Sequence, residues 1–186
     1  MKRLILAMTV LCFAHTAYAA DYDIDYGQSS ITFAGEHAGD AFDGAFKTWE
    51  GTITFDPADL AASSFDITID TTSAETGNSM YDGTLPQADW FAVKEHPKAH
   101  FKTTAITKKD DGSYHAEGTL TIRNIEKPVA FDFTLEPADA SSSPVKASAS
   151  FSINRLDYDI GKESDAEAEW VSSAIDITLS ILASTR

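Results

Sequence analysis

The chain is poor in cysteine, in basic residues and in long apolar runs, and each shortage excludes something. Its one cysteine, Cys12, falls inside the opening stretch MKRLILAMTVLCFAHTAYAA. That stretch reads as an export signal. Lys2 and Arg3 form a basic start, Leu4 to Phe13 is an apolar run too short to span a bilayer comfortably, and Ala17-Tyr18-Ala19 offers small residues where a signal peptidase reads. Leu11 precedes Cys12 where a lipoprotein signal carries a small residue, which argues against a lipid anchor. Cleavage after Ala19 is expected to leave residues 20–186 without cysteine. Disulfide and thiolate chemistry are then excluded, although the destination would permit disulfides. The body must be held by its core, and its length suffices for one domain with one sizeable core.

Basic residues number 14 against 29 acidic ones, a formal charge of −15. Loss of Lys2 and Arg3 takes it to −17. So acidic a body repels nucleic acid and anionic headgroups. Beyond the signal, no segment is long and apolar enough to cross a membrane as a helix, so a soluble protein is expected. Glycine loops that cradle phosphate are missing, no serine–histidine–acid order is recoverable, and the carboxylates are scattered as solubilising charge. No enzyme is expected.

What the body does have is alternation with period two. In WEGTITFD, Trp49, Gly51, Ile53 and Phe55 share a face; in FDITID, Phe65, Ile67 and Ile69 do. YHAEGTLTIR aligns Tyr114, Ala116, Gly118, Leu120 and Ile122, and PVAFDFTLE aligns Val129, Phe131, Phe133 and Leu135. VKASASFSIN aligns Val145, Ala147, Ala149, Phe151 and Ile153, and VSSAIDITLSI aligns Val171, Ile175, Ile177, Leu179 and Ile181. Each run has one dry and one wet face, the mark of an antiparallel sheet. Turn signals at Asp110-Asp111-Gly112, at Asn124 with Pro128, and across Ala138–Pro144 separate the runs. With SSITFAG and AHFKTTAI the count is about eight or nine strands, which suits a closed barrel or a two-sheet sandwich.

The dry face mixes Phe33, Phe55, Phe131, Phe133 and Phe151 with Gly51, Ala105, Ala116, Gly118, Ala147 and Ala149. Large and small residues that fill a taper would look like this. So would a lumen kept partly open and lined with rings, and the period does not choose between them.

Only NSMYDGTLPQADWFAVKEHPKAHF, Asn78–Phe101, breaks the alternation. Met80, Leu85, Trp90 and Phe91 recur at roughly helical spacing, while Gly83 and Pro86 prevent one long helix, so a short helix or two turns are expected. His96 stands before Pro97 and is biased to an extended conformation, and His100 begins the next strand on its wet face. The two are therefore not a helical metal couple. His115 also falls on a wet face, and His37 lies between glycines without a recognisable partner. None of the four is expected to bind a metal.

The order of segments resembles the YceI-like family of polyisoprenoid-binding periplasmic proteins. The carriers are SSITFAGEHAG, FDGAFKTWEGTITFD, ITIDTTSAETG, YDGTLPQADWFAVKEHPKAHF, GTLTIRNIEKPV and INRLDYDIG with the terminal strand. Two positions depart from the pattern: Tyr81 replaces a frequent arginine, and Asn124 replaces the hairpin glycine, though Asn tolerates positive φ. The resemblance implies an all-β, lipocalin-like antiparallel barrel of about eight strands with a short helical cap over residues 20–186. It also implies an isoprenoid chain in the lumen, with no covalent cofactor. The residues expected to line the ligand are Phe33, Phe55, Trp90, Phe91, Gly118, Leu120, Phe131, Phe133, Ala149, Phe151, Ile175 and Ile177. Arg155, which keeps the parity of Phe151 and Ile153 if that strand continues, is expected near the mouth. With so few cations a neutral polar end such as a quinone is expected rather than a diphosphate. INRLDYDIG and DAEAEWVSS look most like the subgroup associated with membrane cytochromes of the b561 type. The alternative reading is therefore a module that docks on such a cytochrome and has an ordinary packed core.

Overall fold

The computed structural model describes residues 19–137, 140 and 143–186; the expected export signal, residues 1–19, lies outside the described residues except for Ala19. The strands are β1 (Ala20–Ile24), β2 (Ser30–His37), β3 (Asp40–Phe46), β4 (Trp49–Phe55), β5 (Ser64–Asp70) and β6 (Ala74–Glu75). They continue as β7 (Lys98–Lys108), β8 (Tyr114–Ile122), β9 (Ile125–Glu136), β10 (Val145–Asn154) and β11 (Ala174–Thr185), and the one α-helix among the described residues is α1 (Ser79–Thr84). All pairings are antiparallel. Eight strands close a barrel in the order β1-β4-β5-β7-β8-β9-β10-β11, shut by β11 pairing with β1. The hairpin of β2 and β3 continues from β11, and β6 adds to its far edge. No helix among the described residues is long and apolar enough to cross a membrane.

Alternation accounts for the burial. Along β8 every second residue from Tyr114 to Ile122 is buried, and on β9 Phe131, Phe133 and Leu135 turn inward. At about 1.5–3 kcal/mol for each fully buried large apolar side chain, such a face is the main stabilising term in a chain without disulfides. Rings pack edge to face or stacked, Phe55 on Tyr114 at 5.2 Å and Tyr114 on Phe133 at 5.2 Å between centroids.

Three local features depart from the alternation. The strand that shuts the barrel, β1, is only five residues long, and its buried Tyr22 is flanked by Asp21 and Asp23. Next, β7 carries a bulge between Thr103 and Ala105. The extra residue reverses parity, so Ala105, expected on the dry face, is exposed and Ile106 is buried instead. Last, β8 and β9 join through Arg123-Asn124 with φ of 53° and 61°. Positive φ at both residues makes the primed turn that suits a two-residue hairpin, and Asn124 stands there in place of glycine.

The cap follows its local signals. Asn78 caps α1 by accepting from the Met80 N–H at 3.0 Å, and Pro86 follows Leu85, the last residue of the helical turn. Turns from residue 86 to 95 then bring Trp90 and Phe91 onto the barrel core.

Candidate functional site

Inside the barrel lies a space of about 220 Å³ with an almost wholly apolar lining. Twelve of the thirteen residues expected at the site line it: Phe33, Phe55, Trp90, Phe91, Leu120, Phe131, Phe133, Ala149, Phe151, Arg155, Ile175 and Ile177. Phe131 and Phe151 stack at 4.6 Å and 11°, forming one flat wall. Phe42, Phe46, Trp49 and Leu85 also line the space, contributed by the β2–β3 hairpin, β4 and the cap. Engineered apolar cavities of about 150 Å³ stay dry and accept a hydrocarbon. A larger cavity with so little polar lining is suited to an apolar guest.

Gly118, the thirteenth, does not line it. A Cβ built there would stand 2.5 Å from the Lys102 carbonyl oxygen and 2.6 Å from the Phe101 ring. Phe101 fills that place, and the close backbone approach opposite the β7 bulge is what requires glycine. The expectation that Gly118 lines the ligand is therefore corrected: it is a packing position against Phe101 and the β7 backbone. Gly118→Ala should destabilise the fold by about 1–3 kcal/mol or more, since neither the β7 backbone nor the packed ring can yield freely. Urea unfolding followed by circular dichroism reads this, and an unchanged midpoint would show that Phe101 repacks without cost.

Arg155 also stands differently from its expected place at the mouth. β10 ends at Asn154, whose side chain accepts from the Leu156 N–H at 3.0 Å and starts a turn of 3-10 helix, so strand parity stops there. Arg155 is 2 % exposed. Its guanidinium donates to the carbonyls of Ser172, Ile160, Asp165 and Val171 and to Asp165 Oδ2 at 2.7 Å. Burial pushes the Arg155 pKa down while Asp165 and Asp89 oppose the shift. Burial also pushes Asp165 up, but the N–H groups of Val171, Trp170 and Glu169 together with Arg155 hold its carboxyl below the ordinary range. Nearby in sequence, burial pushes the Tyr158 hydroxyl up to about 12. Trp90 lies over the guanidinium at 5.6 Å. Arg155 lines the lumen as a buried structural cation, with Nε and Nη2 taken up by carbonyls and Asp165 and Nη1 bonded to the Ile160 carbonyl.

A second space of about 380 Å³ adjoins the first, sharing Phe42, Leu85, Trp90 and Val171 as common wall. His37, Thr76, Met80, Tyr81, Thr84, Ser164, Asp165 and Trp170 complete it. Met80 and Trp170 are 60 % and 61 % exposed. This is a vestibule between the cap, the β2–β3 hairpin and the segment that follows Arg155.

A family model described as the YceI-like domain matches residues 22–183. The chain belongs to the YceI-like family. Its relatives include Protein YceI of Escherichia coli O157:H7, 36% identical over 141 residues that make up 73% of each chain. Among solved structures, this YceI-like barrel is similar to BcnA of Burkholderia cenocepacia, with TM-score 0.81 and 26% identity over 87% of this chain and all of that one. A structure described as a polyisoprenoid binding domain from Saccharophagus degradans, 14% identical, matches with TM-score 0.69 over 91% of this chain and all of that one, a likeness of fold.

The histidines of this YceI-like chain are held apart. His100 Nε2 meets Asp66 Oδ1 at 2.6 Å, His115 Nδ1 meets Asp132 Oδ1 at 2.7 Å, and His37 Nδ1 meets the Tyr81 hydroxyl at 3.2 Å. His96 Nδ1 is buried without a partner in the structure. Among the described residues no group of three or more His, Cys, Asp or Glu side chains could hold a metal. The residues that position the cap were not singled out by sequence. Asp89 accepts from the N–H groups of Glu163 and Ser164 and from the Ser164 hydroxyl, and Arg123 donates to the carbonyls of Ala88, Asp89 and Asp159. Burial pushes Asp89 up, yet these donors and Arg123 hold its carboxyl below the ordinary range. A carboxylate three places after Pro86 and an arginine in a hairpin turn were the available signals.

Proposed function

We propose that this protein holds the hydrocarbon of a polyisoprenoid lipid in the barrel and carries or stores it in the periplasm, without covalent chemistry. The observation that supports this most is the apolar space ringed by Phe55, Phe131, Phe133 and Phe151 and covered by Trp90 and Phe91. The description of the Saccharophagus neighbour as a polyisoprenoid binding domain supports the same ligand class. The polar end is neutral, a quinone in preference to a diphosphate. No Lys or Arg side chain lines the vestibule among the described residues, and the Arg155 guanidinium is already engaged by carbonyls and Asp165. A diphosphate needs convergent cations or backbone donors. A quinone needs one or two donors. Docking on a membrane cytochrome called for an ordinary packed core, whereas the barrel interior contains an apolar space.

Mass spectrometry of an organic extract of protein purified from its native periplasm should find an isoprenoid lipid. Repeated extraction without isoprenoid or fatty lipid would sink the proposal. Competition between a short-chain quinone and a matched isoprenyl diphosphate, at low and high salt, decides the polar end. Tighter binding of the diphosphate that weakens as salt rises would overturn the quinone assignment.

A further inference from the structure

An apolar tail in the barrel leaves its polar end at the vestibule, where an unsatisfied oxygen would be costly to bury. Of the hydroxyl, carboxylate and imidazole groups lining that space, most are already engaged. The Thr76 hydroxyl donates to Asp82 at 2.7 Å, the Thr84 hydroxyl to the Met80 carbonyl at 2.9 Å, and the Ser164 hydroxyl to Asp89 at 2.5 Å. Asp165 accepts from Arg155 and from three backbone N–H groups. His37 and Tyr81 remain, bonded to each other at 3.2 Å with ring centroids 5.3 Å apart. Both are half-buried, and Tyr81 also packs edge-on against Phe42, part of the wall between the two spaces.

The pair has a useful property of proton count. If Tyr81 donates its hydroxyl proton to Nδ1, the imidazole carries its proton on Nε2 and that N–H is free. If instead His37 donates from Nδ1, the Tyr81 hydroxyl proton is free. Either tautomer leaves one donor for an acceptor oxygen. We propose that His37 and Tyr81 form the polar subsite of the vestibule and donate a hydrogen bond to the carbonyl oxygen of a neutral lipid headgroup of the quinone class. The assignment rests on the reading of the barrel as a lipid site.

The test compares two probes of equal chain length, a short isoprenoid quinone and the isoprenoid hydrocarbon without a headgroup. They are titrated into the wild-type protein, Tyr81→Phe, and Tyr81→Phe with His37→Phe. The wild-type protein should bind the quinone more tightly than the hydrocarbon by on the order of 3- to 10-fold, the worth of one hydrogen bond. The double variant should lose that preference while its hydrocarbon affinity stays the same. The carbonyl stretching band of the bound quinone should lie below its value in alkane with the wild-type protein and return to it with the double variant. A quinone preference and a shifted band that survive the double variant would overturn the subsite and leave the lipid reading intact. If neither probe binds the wild-type protein, the lipid reading itself fails.

Discussion

Asp165→Ala is expected to cost about 3–5 kcal/mol of folding stability, far more than the loss of a surface carboxylate. Its partner Arg155 is 2 % exposed and cannot return to water without unpacking the segment between β10 and β11. A buried pair contributes little net stability when intact, because desolvation offsets attraction, but removal of one member strands the other charge. The same change leaves the N–H groups of Glu169, Trp170 and Val171 without their acceptor. Asp165→Asn should cost less, since an amide oxygen can still accept from part of that set. The pH dependence follows from the lowered pKa of Asp165. A carboxyl depressed in the folded state contributes stability that is fully present above the unfolded value of about 3.9 and is lost as pH falls through the folded value. The difference between wild type and Asp165→Asn should therefore be constant near neutrality and narrow below about pH 4. Urea midpoints for both proteins across pH 3–7 read it. A cost under about 1 kcal/mol for Asp165→Ala would show that water reaches the guanidinium and that the pair is not structurally required.

The position of that pair marks where sequence reasoning stops. Period-two alternation specifies which way a strand residue faces, because successive side chains point to opposite sides. Phe55, Phe133, Phe151 and Ile177 were therefore legible as inward-facing. Parity carries no information across a break in the strand. Asn154 ends β10 by capping a 3-10 turn, so Arg155 leaves the alternation and turns into the protein. The cue was present, since asparagine is a common cap, but one polar residue cannot outweigh ten residues of alternation. The β7 bulge is harder still. Nothing in TTAI distinguishes a regular strand from one with an extra residue between Thr103 and Ala105, and the bulge is tied to the glycine opposite it on the neighbouring strand.

Barrel closure was the other illegible step. β1 is short, acidic and adjacent to the expected signal cleavage point, with Ala20 already paired to Phe55. Its role comes from pairing with β4 on one side and with the end of β11 on the other. Such long-range pairing is a property of the assembled sheet and leaves no local trace. The cap is intermediate. Its departure from alternation showed that Asn78–Phe101 is not strand until its end, and the helical spacing of Met80, Leu85 and Trp90 suggested a short helix. That Asp89 and Arg123 fasten it to the segment near Arg155 required three chain segments to be seen together.

Ala149→Trp is expected to abolish lipid binding while leaving the fold in place. Ala149 sits in the middle of β10, between Phe133 and Leu179 of the flanking strands, and lines the lumen. Rings from β4, β5, β9 and β10, among them Phe55, Phe65, Phe133 and Phe151, line the same space, and the free volume is about 220 Å³. An indole at this position enters that volume and occupies much of what an isoprenoid chain would take. In a packed core the same change would force side chains off their rotamers at about 1–3 kcal/mol or more. An open lumen offers room, and the added ring recovers apolar contact with Phe133 and Phe151 at no cost in exposed area. Gly118 provides the contrast, because the Cβ alone collides there with the Lys102 carbonyl. Binding of a fluorescent isoprenoid probe should fall at least ten-fold in Ala149→Trp, while the urea midpoint stays close to wild type. Ala149→Leu should give an intermediate loss. If Ala149→Trp unfolds as readily as Gly118→Ala, the lumen is packed and has no place for a ligand. If it folds normally and still takes up the probe, the ligand lies elsewhere, and the barrel interior is not the site.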